Sequence, residues 1–185
     1  MLSIILPSKT DAYLNRCLRS IERRGDGSEQ VIVVDSGLSV PLMEGWRHRA
    51  VFIPARLPFV FAQAINAGVQ ATDPQNDLLL LNDDTEIVSP DFSAEIQALL
   101  DEPAFERVGL FGLRIYGGCG NPDQREVADG EQMVSTDRVL CFVAVVIRRK
   151  AWEQIGPMDE RFTGYAFDDD DWCLRAVRAD WCPGV

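Results

Sequence analysis

The 185-residue chain carries 29 acidic against 18 basic side chains, a net charge of -11 and a pI near 4.5. That balance lacks the clustered Lys and Arg that grip polyphosphate backbones, so nucleic acid is excluded as an expected partner; a small, highly charged ligand is not, because a divalent cation can bridge acidic side chains to a diphosphate. With 46% hydrophobic and 25% charged residues and no repeat or low-complexity tract, the chain reads as one globular domain that buries about two-thirds of its surface without needing a disulfide or structural metal.

Leu2 to Leu6 is an apolar run stopped by Pro7, which predicts a buried strand ending in a loop. A helix follows, capped by Thr10 or Asp11, with Tyr13, Leu14, Cys17, Leu18 and Ile21 at helical spacing. After a turn at Gly25 to Ser28, the β-branched run Val31 to Val34 ends at Asp35-Ser36-Gly37, which completes a βαβ unit. Ala50 to Ile53 predicts a third strand, Phe61 to Ala71 a helix, and Leu78 to Leu81 a fourth strand that delivers Asn82-Asp83-Asp84. Ser89 and Pro90 supply a cap and an N1 proline for the helix through Ile96 and Leu99. Strands are expected near 108–115 and 139–147, joined by a Gly-, Pro- and Asp-rich connection at 117–130 long enough to suggest a functional role. The last helix should open in the acidic run Asp168 to Asp171 and continue through Leu174 and Val177.

Three strands thus end in polar residues, at Pro7-Ser8, at Asp35 and at Asn82-Asp83-Asp84. Open α/β sheets bind ligands beyond the C-terminal ends of their strands, so the joint pattern marks a ligand edge, although each residue taken singly also suits a turn or cap. Four aspartates opening a helix are favoured by the macrodipole alone, but here Phe162, Gly164 and Tyr165 precede them and Trp172, Cys173 and Leu174 follow. Crowded carboxylates near a packed wall would have one pKa pushed upward, as a general base requires. The lone His48 and the tryptophans suit structural roles, and Arg148, Arg149 and Lys150 suit a solvated helix start. Five cysteines without a CxxC pair indicate reduced thiols and a cytoplasmic setting, and the opening MLSIILPSKT has neither the basic region nor the length of a signal peptide or membrane span.

The ordered segments IILPSKT, VIVVDSG, RLPFVFAQAINAGVQAT, LLLLNDDTEI and RRKAWEQIGPMDERFTGYAFDDDDWCLRA resemble, across almost the whole chain, the family-2 inverting glycosyltransferases. That resemblance implies an α/β, GT-A type fold: a Rossmann-like nucleotide-binding half within a single mixed-sheet α/β/α sandwich. It implies one catalytic domain over 1–185, with residues 1–100 as the nucleotide-binding half and 101–185 as the acceptor and catalytic half. It further implies transfer of a hexosyl or related sugar, with inversion, from a UDP-, dTDP- or GDP-linked donor to an acceptor hydroxyl, in glycan or polysaccharide synthesis. By the same match Asp84 holds Mn²⁺ or Mg²⁺, and Pro7, Ser8, Asp35 and Asp83 contact the donor nucleotide, Asp35 at the base and Asp83 near the ribose. Asp169 is then the general base, with Asp168 beside it shaping the acceptor site, Asp171 capping or pairing locally and Asp170 facing solvent. The chain departs from the family at Leu140-Cys141-Phe142-Val143-Ala144, where a Thr-Gly-Ala stretch is usual, at Asp168 in place of Glu, and in lacking the downstream histidine ligand, so the ion is expected to bind weakly without nucleotide. Two rival readings are a non-catalytic nucleotide-sugar or carbohydrate-binding module and a nucleotidyltransferase; the latter would normally show a Gly-rich basic loop where PSKTDAYLN stands.

Overall fold

In a computed structural model of the chain, which describes residues 1–39, 45–117, 122–126, 136, 139–164 and 167–185, one seven-stranded sheet organises the molecule. In chain order the elements are β1 (Leu2–Ser8), α1 (Asp11–Arg24), β2 (Gln30–Asp35), β3 (Ala50–Pro54), α2 (Phe61–Gln70), β4 (Asp77–Leu81), α3 (Phe92–Asp101), β5 (Val108–Gly112), α4 (Pro122–Glu126), β6 (Ala144–Ile147), α5 (Arg149–Ile155), α6 (Asp168–Arg178) and β7 (Cys182–Gly184). The strand order is β3-β2-β1-β4-β6-β5-β7. β3, β2, β1 and β4 run parallel, and β6 is antiparallel to both β4 and β5, which makes the sheet mixed.

Alternation along the buried strands builds two cores. Leu79 and Leu81 join Ile4, Leu6, Val31 and Val33 on the face covered by α1 and α3, whereas Leu78 and Leu80 join Ile5, Val34 and Val145 on the face covered by α2 and α6. The result is an α/β/α sandwich. On α1, Leu14, Leu18 and Ile21 are buried, each contributing roughly 1.5–3 kcal/mol of apolar transfer free energy; Tyr13, expected on that face, is 43% exposed. α2 lies so close to the sheet that a Cβ on Gly68 would stand 2.4 Å from the Ile5 Cγ2 and 3.2 Å from the Val34 Cγ2.

Several boundaries differ from the sequence expectations for identifiable reasons. β1 continues through Pro7. Ser8 turns its carbonyl toward β2, where it accepts the Ser36 N–H at 2.8 Å, so the N–H missing from Pro7 would have faced β4, whose pairing with β1 stops at Ile5. The helix after β4 starts at Phe92 rather than after Ser89: burial of Phe92, Ile96 and Leu100 at fourfold spacing sets its frame, and Asp91, in the left-handed conformation, becomes its N-cap. The expected strand at 139–147 pairs only from Ala144 because the residues before it turn toward α6. Similarly, β5 ends at Gly112, against which Gln124 and Leu140 pack.

Arg148 and Arg149 are not a solvated cluster. The Arg148 guanidinium is buried and donates to the carbonyls of Val108, Leu100 and Phe105 at 2.8, 2.8 and 3.1 Å, and Arg149 donates to Asn76 O and Thr72 Oγ1 at 2.8 and 2.7 Å. Burial lowers both guanidinium pKa values. Lys150 is exposed, with its Nζ 5.2 Å from the centroid of Trp181. β7 has no sequence signature, being Cys-Pro-Gly, and exists because it pairs in parallel with β5. Much of the 117–130 connection, together with Cys119 and Tyr165, lies outside the described residues. Among those described, no helix is long and apolar enough to cross a membrane.

The Gly68 contact gives a direct test of the packing. Gly68→Ala should lower the free energy of unfolding by about 1–3 kcal/mol, despite alanine's better helix propensity, because the added methyl must displace β1 or β2 side chains; urea denaturation measures it.

Candidate active site

The parallel strands bring their C-terminal ends to one edge. Ser8 and Asp35 are register partners in adjacent strands, and β4 on the other side of β1 delivers Asn82-Asp83-Asp84. Because β6 runs antiparallel, its start at Ala144 and the preceding Leu140 to Val143 also reach that edge, while its end, with Arg148 to Lys150, lies at the opposite one. The charge cluster expected at a helix start is therefore remote from the aspartates.

Asp83 is half-buried and binds the loop after β1: its Oδ2 accepts the Ser8 hydroxyl at 2.5 Å, and the backbone N–H groups of Lys9 and Thr10 also point to it. Burial nonetheless outweighs these bonds and holds its pKa above the usual carboxylate value. Asp84 is exposed, on the turn closed by the Thr85 N–H and hydroxyl to Asn82 O at 3.2 and 2.6 Å. Under this turn lies Cys17, whose thiol is hydrogen-bonded with Thr85 and pushed up to about 12, chiefly by burial. Asp35 uses Oδ1 to accept the N–H groups of Gly37 and Leu38 at 2.8 and 2.7 Å, the latter after a glycine at φ +138°. The turn-forming role of Asp35 and its position at the edge thus coexist.

α6 opens on the same edge, and Asp168 is nearly buried at 8% exposure. Its Oδ1 accepts the Asp169 N–H at 3.2 Å. Asp169 accepts the Asp170 N–H at 3.0 Å and also the backbone N–H of Phe142. Burial raises the pKa of both Asp168 and Asp169, more than their N–H bonds lower it, and the neighbouring aspartates add to the rise. Asp171 pairs with Arg175 at 2.8 Å, as its helical spacing suggests, while Asp170 is half-buried rather than fully solvated. Phe142, Trp172 and Trp152 form the wall behind the run, with ring centroids 6.1 and 5.6 Å apart. His48 is exposed in the short 3₁₀ turn Trp46–His48, far from this edge in sequence. Among the described residues, no group of three or more His, Cys, Asp or Glu side chains converges as an ion cage.

The fold, taken over the whole chain, matches solved structures. A mannosyltransferase from Pyrobaculum calidifontis, solved with GDP-Man and Mn²⁺, superposes over 98% of this chain and 53% of its own, with a TM-score of 0.71 and 15% identity. S. aureus TarS 1–349 covers 98% of the chain and 57% of its own at a TM-score of 0.71 and 14% identity, and GalNAc-T7, solved with UDP, GalNAc and Mn²⁺, covers 100% and 42% at 0.76 and 12%. The chain has the GT-A fold. It spans about half the length of these GT-A chains. By sequence, an uncharacterized protein, y4gI, from Sinorhizobium fredii (strain NBRC 101917 / NGR234) is 28% identical over 213 residues, covering 97% of this chain and 23% of its own length. No family model matches the chain.

Three contributors escaped the sequence. The Phe142 N–H reaches Asp169 only because β6 starts late, and Cys173 Sγ accepts the Leu140 N–H at 3.4 Å, which ties the same segment to α6. Gln124, fully buried on α4, likewise accepts the Cys141 N–H at 2.7 Å and donates to Cys141 O at 3.2 Å. None of these contacts has a spacing rule in the sequence.

The raised pKa of Asp169 makes a signed prediction about stability. A carboxylate whose folded pKa lies above its unfolded value favours folding below about pH 4 and loses that contribution as pH rises through the folded pKa. Asp169→Asn should therefore match the parent's unfolding midpoint in acid and exceed it progressively toward pH 7; thermal melts across that range measure the gap.

Proposed function

We propose that this chain is the catalytic domain of a glycosyltransferase that moves a sugar from a nucleoside-diphosphate donor to an acceptor hydroxyl with inversion at the anomeric carbon. The observation that carries the reading is the meeting, at one edge of a GT-A sheet, of the Ser8, Asp35 and Asn82-Asp84 loops with the buried Asp168 and half-buried Asp169 at the start of α6. The solved neighbours of this fold include complexes with GDP-Man, UDP and Mn²⁺, which supports a sugar nucleotide as the ligand of that edge. In this reading residues 1–100 bind the donor nucleotide and 101–185 serve the acceptor and the base, the acceptor belonging to glycan or polysaccharide synthesis in a cytoplasmic setting.

Each residue then has a physical task. Pro7 and Ser8 form the floor on which the nucleotide lies, and Asp35 accepts a base N–H. Asp83 braces the Ser8 loop, so that it acts on the ribose side from a preset position. Asp84 is an exposed hard-oxygen donor, and among the described residues no group of three or more His, Cys, Asp or Glu side chains forms a complete cage, which fits Mn²⁺ or Mg²⁺ shared with diphosphate oxygens and water. Such a cation, when bound, supplies the positive charge that neutralises the leaving diphosphate. Asp169 accepts the proton of the acceptor hydroxyl: its burial raises its basicity, and the Phe142 N–H and the aromatic wall fix its direction. Asp168 lines the acceptor side behind it.

Isothermal titration of UDP, GDP and dTDP, with and without Mn²⁺, is the first measurement. One of them should bind in the presence of Mn²⁺, and Mn²⁺ alone should bind weakly; tight Mn²⁺ binding without nucleotide would reveal a complete protein cage and overturn the sharing of the ion between Asp84 and the diphosphate. Asp35→Ala should weaken nucleotide binding by about 1.5–3 kcal/mol, the range for a hydrogen bond to a charged group.

Catalysis has a separate signature. Asp169→Asn should reduce sugar release or transfer about 10²–10⁴-fold while nucleotide affinity stays near the parent's. Parental turnover in Asp169→Asn, with Asp168→Asn inactive, would move the base to Asp168; nucleotide-sugar binding without any transfer or hydrolysis would favour a binding module instead.

A further inference from the structure

Asn66 is a polar side chain on the apolar face of α2, flanked by Ile65 and Val69 and only 5% exposed. A buried amide is tolerated only where hydrogen bonds replace its lost water. Both ends of this one are occupied by a single distant segment: Oδ1 accepts the Met158 N–H at 2.9 Å, and Nδ2 donates to Met158 O and to Glu160 Oε1, both at 3.0 Å. The exchange with Met158 copies the two-bond pairing of antiparallel strands, carried out by one side chain. Met158 itself is 2% exposed, so water does not compete for these groups.

The two sides of this clamp are the two sides of the site. α2 is pressed at Gly68 onto β1 and β2, the strands that end at Ser8 and Asp35. The segment holding Met158 follows α5, and its beginning is bolted to α6: Trp172 Nε1 donates to Gly156 O at 3.0 Å, Arg175 Nη1 donates to Ile155 O at 3.3 Å, and Trp152 stacks on Trp172. α6 opens with Asp168 and Asp169. A rigid path therefore runs from the nucleotide-side strands through α2, Asn66 and residues 155–160 into α6.

We infer that Asn66 is a positioning residue: through its bidentate hold on Met158 it sets where the start of α6, and with it Asp169, stands relative to the donor edge. The inference rests on the transferase reading above. An apolar side chain would fill the same space, but it would leave the buried Met158 N–H and carbonyl unpaired and would impose no direction on the segment. Since catalysis falls steeply when reacting groups are displaced by about 1 Å, a clamp at this point acts on turnover more than on donor affinity.

Asn66→Asp tests this. It keeps the size and the acceptor for the Met158 N–H but sets a carboxylate against Met158 O and the Glu160 carboxylate. Turnover of the bound nucleotide sugar should fall about 10–100-fold, with the Kd for UDP or GDP in Mn²⁺ within about twofold of the parent's. Adding Glu160→Gln restores a donor opposite residue 66, and N66D/E160Q should regain about tenfold of the loss. If N66D does not fold, Glu160→Ala at the exposed partner takes its place, with kcat expected to drop about three- to tenfold at unchanged Kd. Parental kcat in folded N66D, or in E160A where N66D is unfolded, overturns the inference; so does loss of nucleotide affinity in step with kcat. A parent protein that binds none of UDP, GDP or dTDP with Mn²⁺ overturns the transferase reading, and this inference falls with it.

Discussion

Parallel pairing of β1 with β2 on one side and β4 on the other is the constraint on which the site depends. Residues of a parallel pair reach the same level together, so Ser8 and Asp35 stand side by side and the turn after Leu81 emerges next to them. Parallel strands need covered faces, and the chain supplies α1 and α3 on one face and α2, α5 and α6 on the other. If that pairing slipped by one residue, the buried leucines of β4 would exchange faces and the aspartates would leave the edge. The hydrophobic alternation that protects the core therefore also protects the placement of the polar ends.

Two opposing effects are balanced at the aspartates. Helix N-termini and turn N–H groups stabilise carboxylates, and Asp83, Asp168 and Asp169 all accept such bonds. Yet all three have raised pKa values, because burial removes water that the few N–H groups do not replace. Carboxylates held in this state carry a cost to the fold at neutral pH, which is the pattern expected where basicity or ligand binding is wanted. Where a cation stands beside a partly buried aspartate the contact differs: Asp171 is paired with Arg175, and the Arg161 hydrogen bonds and charge lower the Asp159 carboxyl to about 2.

The second half of the chain shows how irregular backbone serves a site. Residues 140–142 lie outside the strand, and their N–H groups turn to Cys173, Gln124 and Asp169. Buried backbone groups need partners, and here side chains of α6 and α4 provide them in place of a neighbouring strand. The same economy recurs at Met158, whose backbone finds its partner in Asn66. Side-chain amides thus join segments that the sheet alone would not bring into register.

The α/β class, the parallel first half, the aspartates at the strand ends and the start of α6 at Asp168 were legible in the sequence, because each rests on local rules: apolar runs of strand length, helical spacing, and polar residues that interrupt them. The resemblance of ordered motifs added the GT-A architecture, which the solved neighbours share. Tertiary structure alone decided the rest. Pro7 stays in a strand because its neighbour on one side has ended, Arg148 is buried because three carbonyls converge on it, and Cys-Pro-Gly becomes β7 because β5 offers an edge. Asn66 belongs to the same class: its partners lie 92 residues or more away, and no local propensity records a contact between chain segments so far apart.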